Sequence, residues 1–156
     1  MKTGNHELLG CNIFIDKEGR WYHEGAEMIN RNIVDMFFSN LDLTEDGLYV
    51  VNWNGKRFFI DVEDTAFVVR KVLFIGGAAE GKQSYQIHLS DDTTEELLPE
   101  TLWVGDKNVL YCRVKQGRFP ARFNRPAYYQ ITAFMLEKEG GFYLPLNGKT
   151  YCITGC

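Results

Sequence analysis

A chain of 156 residues with 45% hydrophobic and 24% charged side chains is long enough to bury a core and too mixed in composition to be disordered or fibrous. Its net charge of −4 gives no bulk attraction for nucleic acid or for an acidic membrane surface, so neither is expected as a partner. No run of about 18 apolar residues occurs, so no transmembrane helix is expected.

The N-terminal stretch Met1-Lys-Thr-Gly-Asn-His6-Glu7 carries no apolar signal core. The first elements form a hairpin, with strands over 12–16 and 20–23 flanking Lys17-Glu18-Gly19. A helix is predicted over 27–41, because Ile29, Ile33, Phe37 and Leu41 recur every four residues and Val34 and Phe38 widen the stripe. Thr44-Glu-Asp-Gly47 ends it. Strands over 48–53 and 56–61 then close on Asn54-Gly55, a pair that tolerates the positive φ of a tight hairpin turn.

The apolar run over 65–75 predicts a strand covered on both faces, including Phe67, Val69 and Leu73. Gly76-Gly-Ala-Ala-Glu-Gly81 reads as a flexible turn. Residues 83–89 alternate strictly (Tyr85, Ile87, Leu89 against Gln86, His88), as a half-buried strand does. A further hairpin joins 109–115 to 118–123 across Gln116-Gly117. Asn124 and Pro126 then read as cap and first turn of a helix over 126–137, with Ala127, Ile131 and Met135 on its core face and Gly140-Gly141 as its stop. Strands over 142–146 and 149–153 close on Asn147-Gly148.

The order repeats. Asn12-Ile-Phe-Ile-Asp-Lys-Glu-Gly19-Arg20-Trp21 is echoed by Leu110-Tyr-Cys-Arg-Val-Lys-Gln-Gly117-Arg118-Phe119 at an offset of 98 (117 − 19). Asn54-Gly55-Lys56 is echoed by Asn147-Gly148-Lys149 at an offset of 93 (148 − 55). Turn signal and hydrophobic pattern recurring together mark a duplicated unit. The expected fold is therefore α+β: two sheet-rich ββαββ repeats joined by an additional hairpin and sharing one core. The expected arrangement is a single domain over 1–156, with repeats over about 11–61 and 109–154 and connecting strands over about 62–108.

Cys11, Cys112, Cys152 and Cys156 lack the close pairing of a zinc site, and no metal or cofactor is expected. Without an export signal, four reduced thiols in a cytoplasm are expected, with Cys112 and Cys152 as small core residues.

Charge is the strongest functional signal. Residues 107–136 hold six basic side chains and no acidic one, and directly before them stand Asp91, Asp92, Glu95, Glu96 and Glu100. Alternation along the hairpin puts Leu110, Cys112, Val114, Phe119, Ala121 and Phe123 on the core face, crowding Arg113, Lys115, Arg118 and Arg122 on the other. Like charges across strands repel, so the face wants an anion. The acidic segment can supply it, or a small anionic ligand held by the guanidinium groups, with Arg125 and Tyr129 extending such a site.

His23 beside Glu24, and the pair Glu63 and Asp64, are the other candidates. A histidine near neutral pKa can act as a base, and paired carboxylates can do acid–base work. Yet strand neighbours point to opposite faces, so Glu24 does not orient His23. Carboxylates at a strand entry also form turns. No phosphate loop, nucleophile elbow or His-Glu-x-x-His motif is present, so no catalytic residue is assigned.

Gly19-Arg-Trp21-Tyr-His23-Glu-Gly25, Val62-Glu63-Asp64-Thr-Ala-Phe67, and Val114-Lys-Gln-Gly117 leading to Asn124-Arg125-Pro-Ala-Tyr-Tyr129 resemble the bacterial domain-of-unknown-function family 1285. The resemblance runs from Cys11 to Ile153. It implies an α+β protein of repeated structural units, with no established activity and a role in signal transduction. The chain departs from the family at Ala66, where proline is frequent, and in its shorter C-terminal hairpin. The expectation is a cytoplasmic regulatory module that binds a ligand or a protein partner. The alternative is a small hydrolase or transferase using His23 with Glu63 or Asp64.

Overall fold

The computed structural model describes residues 12–76 and 82–155, which divide into two compact units between Ala66 and Phe67. The fold is α+β, and each half carries the ββαββ order.

In the first unit, β1 (Ile13–Ile15) and β2 (Trp21–His23) form the expected hairpin, with Ile15 opposite Trp21. Gly19, at φ 86°, takes the left-handed position in the turn. One carboxylate holds the rest. Asp16 Oδ1 accepts from the backbone N–H groups of Glu18 and Arg20 at 3.0 and 2.9 Å, and Oδ2 accepts from Arg20 Nε and the Tyr22 hydroxyl at 2.8 and 3.0 Å. The short β3 (Ala26–Glu27) folds back on β2 through Glu24-Gly25, both at positive φ.

Helix α1 (Arg31–Ser39) begins later than predicted, because Asn30 caps it by accepting from the backbone of Asn32 and Ile33. Ile29 precedes that cap and is 88% exposed, and Ile33 is 41% exposed, so the expected stripe is wrong at both positions. The buried face is Val34, Phe37 and Phe38, and the Trp21 ring lies 6.0 and 4.9 Å from the two phenylalanine rings. Asn40 ends the helix by donating its side-chain amide to Met36 O at 2.8 Å. Leu41 therefore belongs not to the helix but to β4 (Leu41–Leu43). Strands β5 (Tyr49–Trp53) and β6 (Lys56–Val62) close on Asn54 and Gly55 at φ 53° and 73°, as the pair predicts. The sheet runs β3-β2-β1-β6-β5-β4, with β1 and β6 parallel.

The second unit is built on β7 (Phe67–Gly76) and β8 (Gln83–Leu89), followed by β9 (Thr94–Glu96), β10 (Trp103–Val104), β11 (Leu110–Val114) and β12 (Phe119–Phe123) in the order β10-β11-β12-β7-β8-β9. β12 pairs in parallel with β7 at Phe67–Val69 only. Those three residues are fully buried, whereas Leu73, at 37%, is not, contrary to expectation. Beyond Val69, β8 is the strand that pairs with β7 among the described residues. Of the turn that follows β7, only Gly76 and the residues from Lys82 on are described.

Helix α2 (Arg125–Thr132) is capped by Asn124, whose side chain accepts from Ala127 N at 2.9 Å. It packs on β7 and β12, burying Ala127 and Ile131 as predicted. It stops five residues short of Glu137. Met135 is half-buried beyond its end, and β13 (Leu136–Lys138) occupies the expected last turn. Glu139 and Gly140, at φ 53° and 82°, turn β13 into β14 (Gly141–Leu146) rather than stopping a helix. With β15 (Lys149–Thr154) these strands form a separate three-stranded sheet, closed on Asn147-Gly148 at φ 54° and 79°.

Cys112 is a buried free thiol, and burial pushes its pKa far up. Cys152 overturns two expectations. It lies on the exposed face of β15, because Ile153 takes the inward position, and it is disulfide-bonded. Cys11, Cys156 and His6 lie outside the described residues. No helix is long and apolar enough to cross a membrane among the described residues.

Candidate functional site

The basic hairpin of β11 and β12 has the predicted inner face: Leu110, Cys112, Val114, Phe119, Ala121 and Phe123 are all buried. Its outer face is less crowded than alternation alone implies. Arg113 stands opposite Pro120 and Arg122 opposite Tyr111, so the two strand arginines are diagonal rather than directly opposed. Arg113 Nε donates to Gly117 O at 2.9 Å, and the Arg118 guanidinium lies 5.0 Å from the Phe119 ring centre.

Lys115 already has its anion. Its Nζ meets Asp91 Oδ2 at 2.8 Å and the Thr93 hydroxyl at 2.9 Å, and lies 5.4 Å from the Phe67 ring centre. Its backbone N–H donates to both carboxylate oxygens of Glu95, at 3.1 and 3.3 Å. Burial alone would raise the Asp91 pKa, but the Lys115 ammonium and the Thr93 hydroxyl outweigh it and hold the carboxyl below the usual range. Asp91 and Glu95 come from the β9 side of the sheet, and Thr101 Oγ1 accepts the Arg113 N–H at 3.0 Å, so the strand order curls back towards the hairpin.

The same device stands in the first unit. Lys17, the echo of Lys115, donates its backbone N–H to Glu63 Oε1 at 2.9 Å. Glu63 is thereby a turn-binding carboxylate, and its own N–H donates to Ile15 O. His23 pairs with Ile13, at the other end of β1. The two ends are separated by about 7 Å along the strand before the step between strands is added. The register does not bring His23 together with Glu63 or with the adjoining half-buried Asp64 in one catalytic pair.

Arg125 and Tyr129 lie one helical turn apart at the exposed start of α2, with Tyr129 59% exposed and its ring 5.5 Å from that of Tyr128. Tyr128 belongs to a different feature. With Thr132, one turn on, it lines a groove of about 490 Å³ that no motif announces. The wall on one side is Val104, Asn108 and Leu110; on the other it is Met135 with Glu137, Phe142, Ile153 and Thr154 of the C-terminal sheet. Thr132 Oγ1 donates its hydrogen to Tyr128 O at 2.8 Å, which leaves the oxygen to act as an acceptor. The turn entering the groove holds Lys107 and Asn108 at left-handed φ (59° and 61°), as the β11–β12 turn holds Lys115 and Gln116 (56° and 60°).

Asn30 and Asn124, each followed by arginine, show that the caps also repeat, which hydrophobic period alone does not reveal. Among the described residues no group of three or more His, Cys, Asp or Glu side chains gathers as a metal site would require.

No family model matches the sequence, and no curated protein matches it. Among solved structures, a DUF1285 family protein from Silicibacter pomeroyi DSS-3 superposes with a TM-score of 0.75 at 19% identity, over 92% of this chain and 79% of its own. The chain has the DUF1285 fold. A DUF1285 family protein from Shewanella baltica OS155 agrees, with a TM-score of 0.61 at 18% identity, over 76% of this chain and 88% of its own. The likeness supports the family to which the sequence pattern points. It extends to no activity, since DUF1285 denotes a family of unknown function. Ala66, which departs from the frequent DUF1285 proline, is fully buried immediately before β7.

Proposed function

We propose that the protein is a small-molecule-binding module rather than an enzyme, and that the groove between α2, the β10–β11 edge and the C-terminal sheet is its ligand site. The observation that carries this reading is convergence: apolar Val104, Leu110, Met135, Phe142 and Ile153 meet polar Asn108, Tyr128, Thr132 and Thr154 in about 490 Å³. That mixture and that size suit a small organic ligand. No cysteine or serine nucleophile and no histidine is among the described lining residues, and His23 and Glu63 stand at opposite ends of β1. The anionic ligand expected at the basic hairpin is less well supported, because Asp91 and Glu95 already engage Lys115. Binding that fixes the end of α2 against the C-terminal sheet fits a regulatory role, and the signalling role implied by the family resemblance belongs with it.

Protein-observed NMR with a library of neutral, cationic and anionic fragments tests the assignment. Shifts should cluster at Leu110, Tyr128, Thr132 and Ile153, and Met135→Trp should abolish them while leaving the melting temperature close to that of the parent. Shifts confined to residues 113–122, and insensitive to that substitution, would return the site to the basic hairpin.

A further inference from the structure

The chemistry of the groove wall narrows the ligand class. Among the described lining residues Glu137 alone is charged, and two aromatic rings, Tyr128 and Phe142, share the groove with it. Glu137 is an exposed residue of β13 whose backbone partner across the sheet is Phe142, so the carboxylate and one of the rings belong to adjacent strands. The remaining lining is apolar or offers hydroxyl and amide groups: Leu110 and Ile153 are buried, and Asn108, Thr132 and Thr154 are polar without charge. A carboxylate that shares a groove with aromatic rings favours a positive charge there, by direct Coulomb attraction and through the negative faces that such rings can offer a cation. It repels a carboxylate or a phosphate.

We infer that the groove takes a small organic amine, protonated at neutral pH, with its ammonium towards Glu137 and its hydrocarbon body against Leu110, Met135 and Ile153. This rests on the groove being a ligand site, as proposed above, and adds the sign of the ligand's charge. It reverses the chemistry expected from the basic hairpin. Selectivity comes from Glu137 and the rings, whereas affinity for the body comes from the apolar wall.

Three probes of one skeleton separate these contributions: phenethylamine, phenethyl alcohol and hydrocinnamate, titrated into the full chain at low salt and followed by NMR shifts of the groove residues. The amine should bind about five- to tenfold more tightly than the alcohol, the size of effect that an exposed carboxylate and a ring face give together. Hydrocinnamate should bind more weakly than both. Glu137→Gln, at an exposed position where the fold is not at stake, should bring the amine down to the affinity of the alcohol and leave the alcohol unchanged. Added salt should weaken the amine alone. Equal binding of amine and alcohol, a preference for the carboxylate, or an amine preference that survives Glu137→Gln would overturn the amine assignment while leaving the groove as a binding site. Failure of all three probes to shift any groove residue would overturn both.

Discussion

At Asp16 a single carboxylate organises a whole turn, accepting from two backbone amides, a guanidinium and a phenol. Burial would raise its pKa, but the hydrogen bonds from Arg20 and Tyr22 outweigh burial and lower it from the ordinary 3.8. A folded-state pKa below the unfolded one stabilises the fold fully above the unfolded value and loses that stabilisation as pH falls through the folded value. Acid titration of the parent should therefore show stability falling below about pH 4, and Asp16→Asn should flatten part of that fall. Asp91 carries the same sign and supplies another part. At neutral pH Asp16→Asn should be mild, because an amide oxygen still serves the turn. Asp16→Ala should cost about 1–2 kcal/mol, because the part-buried hydrogen bonds of the turn lose their acceptor. Urea melts of the two variants check the pair, and equal costs would show that the turn does not need the oxygen. Sequence reading found the turn through Gly19 but not the Glu63 carboxylate that binds Lys17 from 46 residues away. Such a contact depends on β1 lying beside β6, and no local pattern encodes that.

The Asn-Gly hairpins were legible because their signal is local: both residues of each pair must accept positive φ, and they do. The helix ends were less so. A four-residue apolar spacing carried the α1 reading back to Ile29, although the cap at Asn30 had already stopped the helix, and the same bias carried α2 through what is strand β13. The two hairpins also differ in a way the echo conceals. At the second tip Asn147 Nδ2 donates to Gln83 O at 2.8 Å, Oδ1 accepts from Gln83 N at 2.6 Å, and Asn147 N donates to Gln83 Oε1 at 3.0 Å, binding the C-terminal hairpin to the start of β8. Glycine keeps the turn geometry but removes the side-chain bonds. Asn147→Gly should therefore cost about 1–2 kcal/mol, whereas Asn54→Gly should stay within about 0.5 kcal/mol of the parent. Similar costs at the two tips, in denaturant melts, would show that the Gln83 bonds add nothing to stability.

Over the whole molecule, the repeat predicts element order but not sheet membership. In the first unit the two hairpins join through the parallel pair β1–β6. In the second the parallel partner of β12 is β7, and the C-terminal hairpin sits in its own sheet with β13. The echo describes local turns and alternation, whereas parallel pairing depends on distant partners, so equal sequence order permits unequal assembly. No local pattern encodes the groove for the same reason: its lining residues lie between 104 and 154 and are brought together by the second sheet and the three-stranded sheet. Cysteine usage shows how far composition can mislead at this scale. Scattered cysteines argue for reduced thiols, yet Cys152 faces outward and is disulfide-bonded, which removes that argument for a reducing compartment. Cys112 lies at the opposite extreme, a buried thiol whose raised pKa suppresses the reactive thiolate. Thiol titration of protein purified without reductant should therefore detect no reaction at Cys112 until the chain is unfolded. The unfolded count should then rise by two when reductant is added, since one bond releases two thiols. An unchanged count would place Cys152 among the free thiols and restore the expectation of a fully reduced chain.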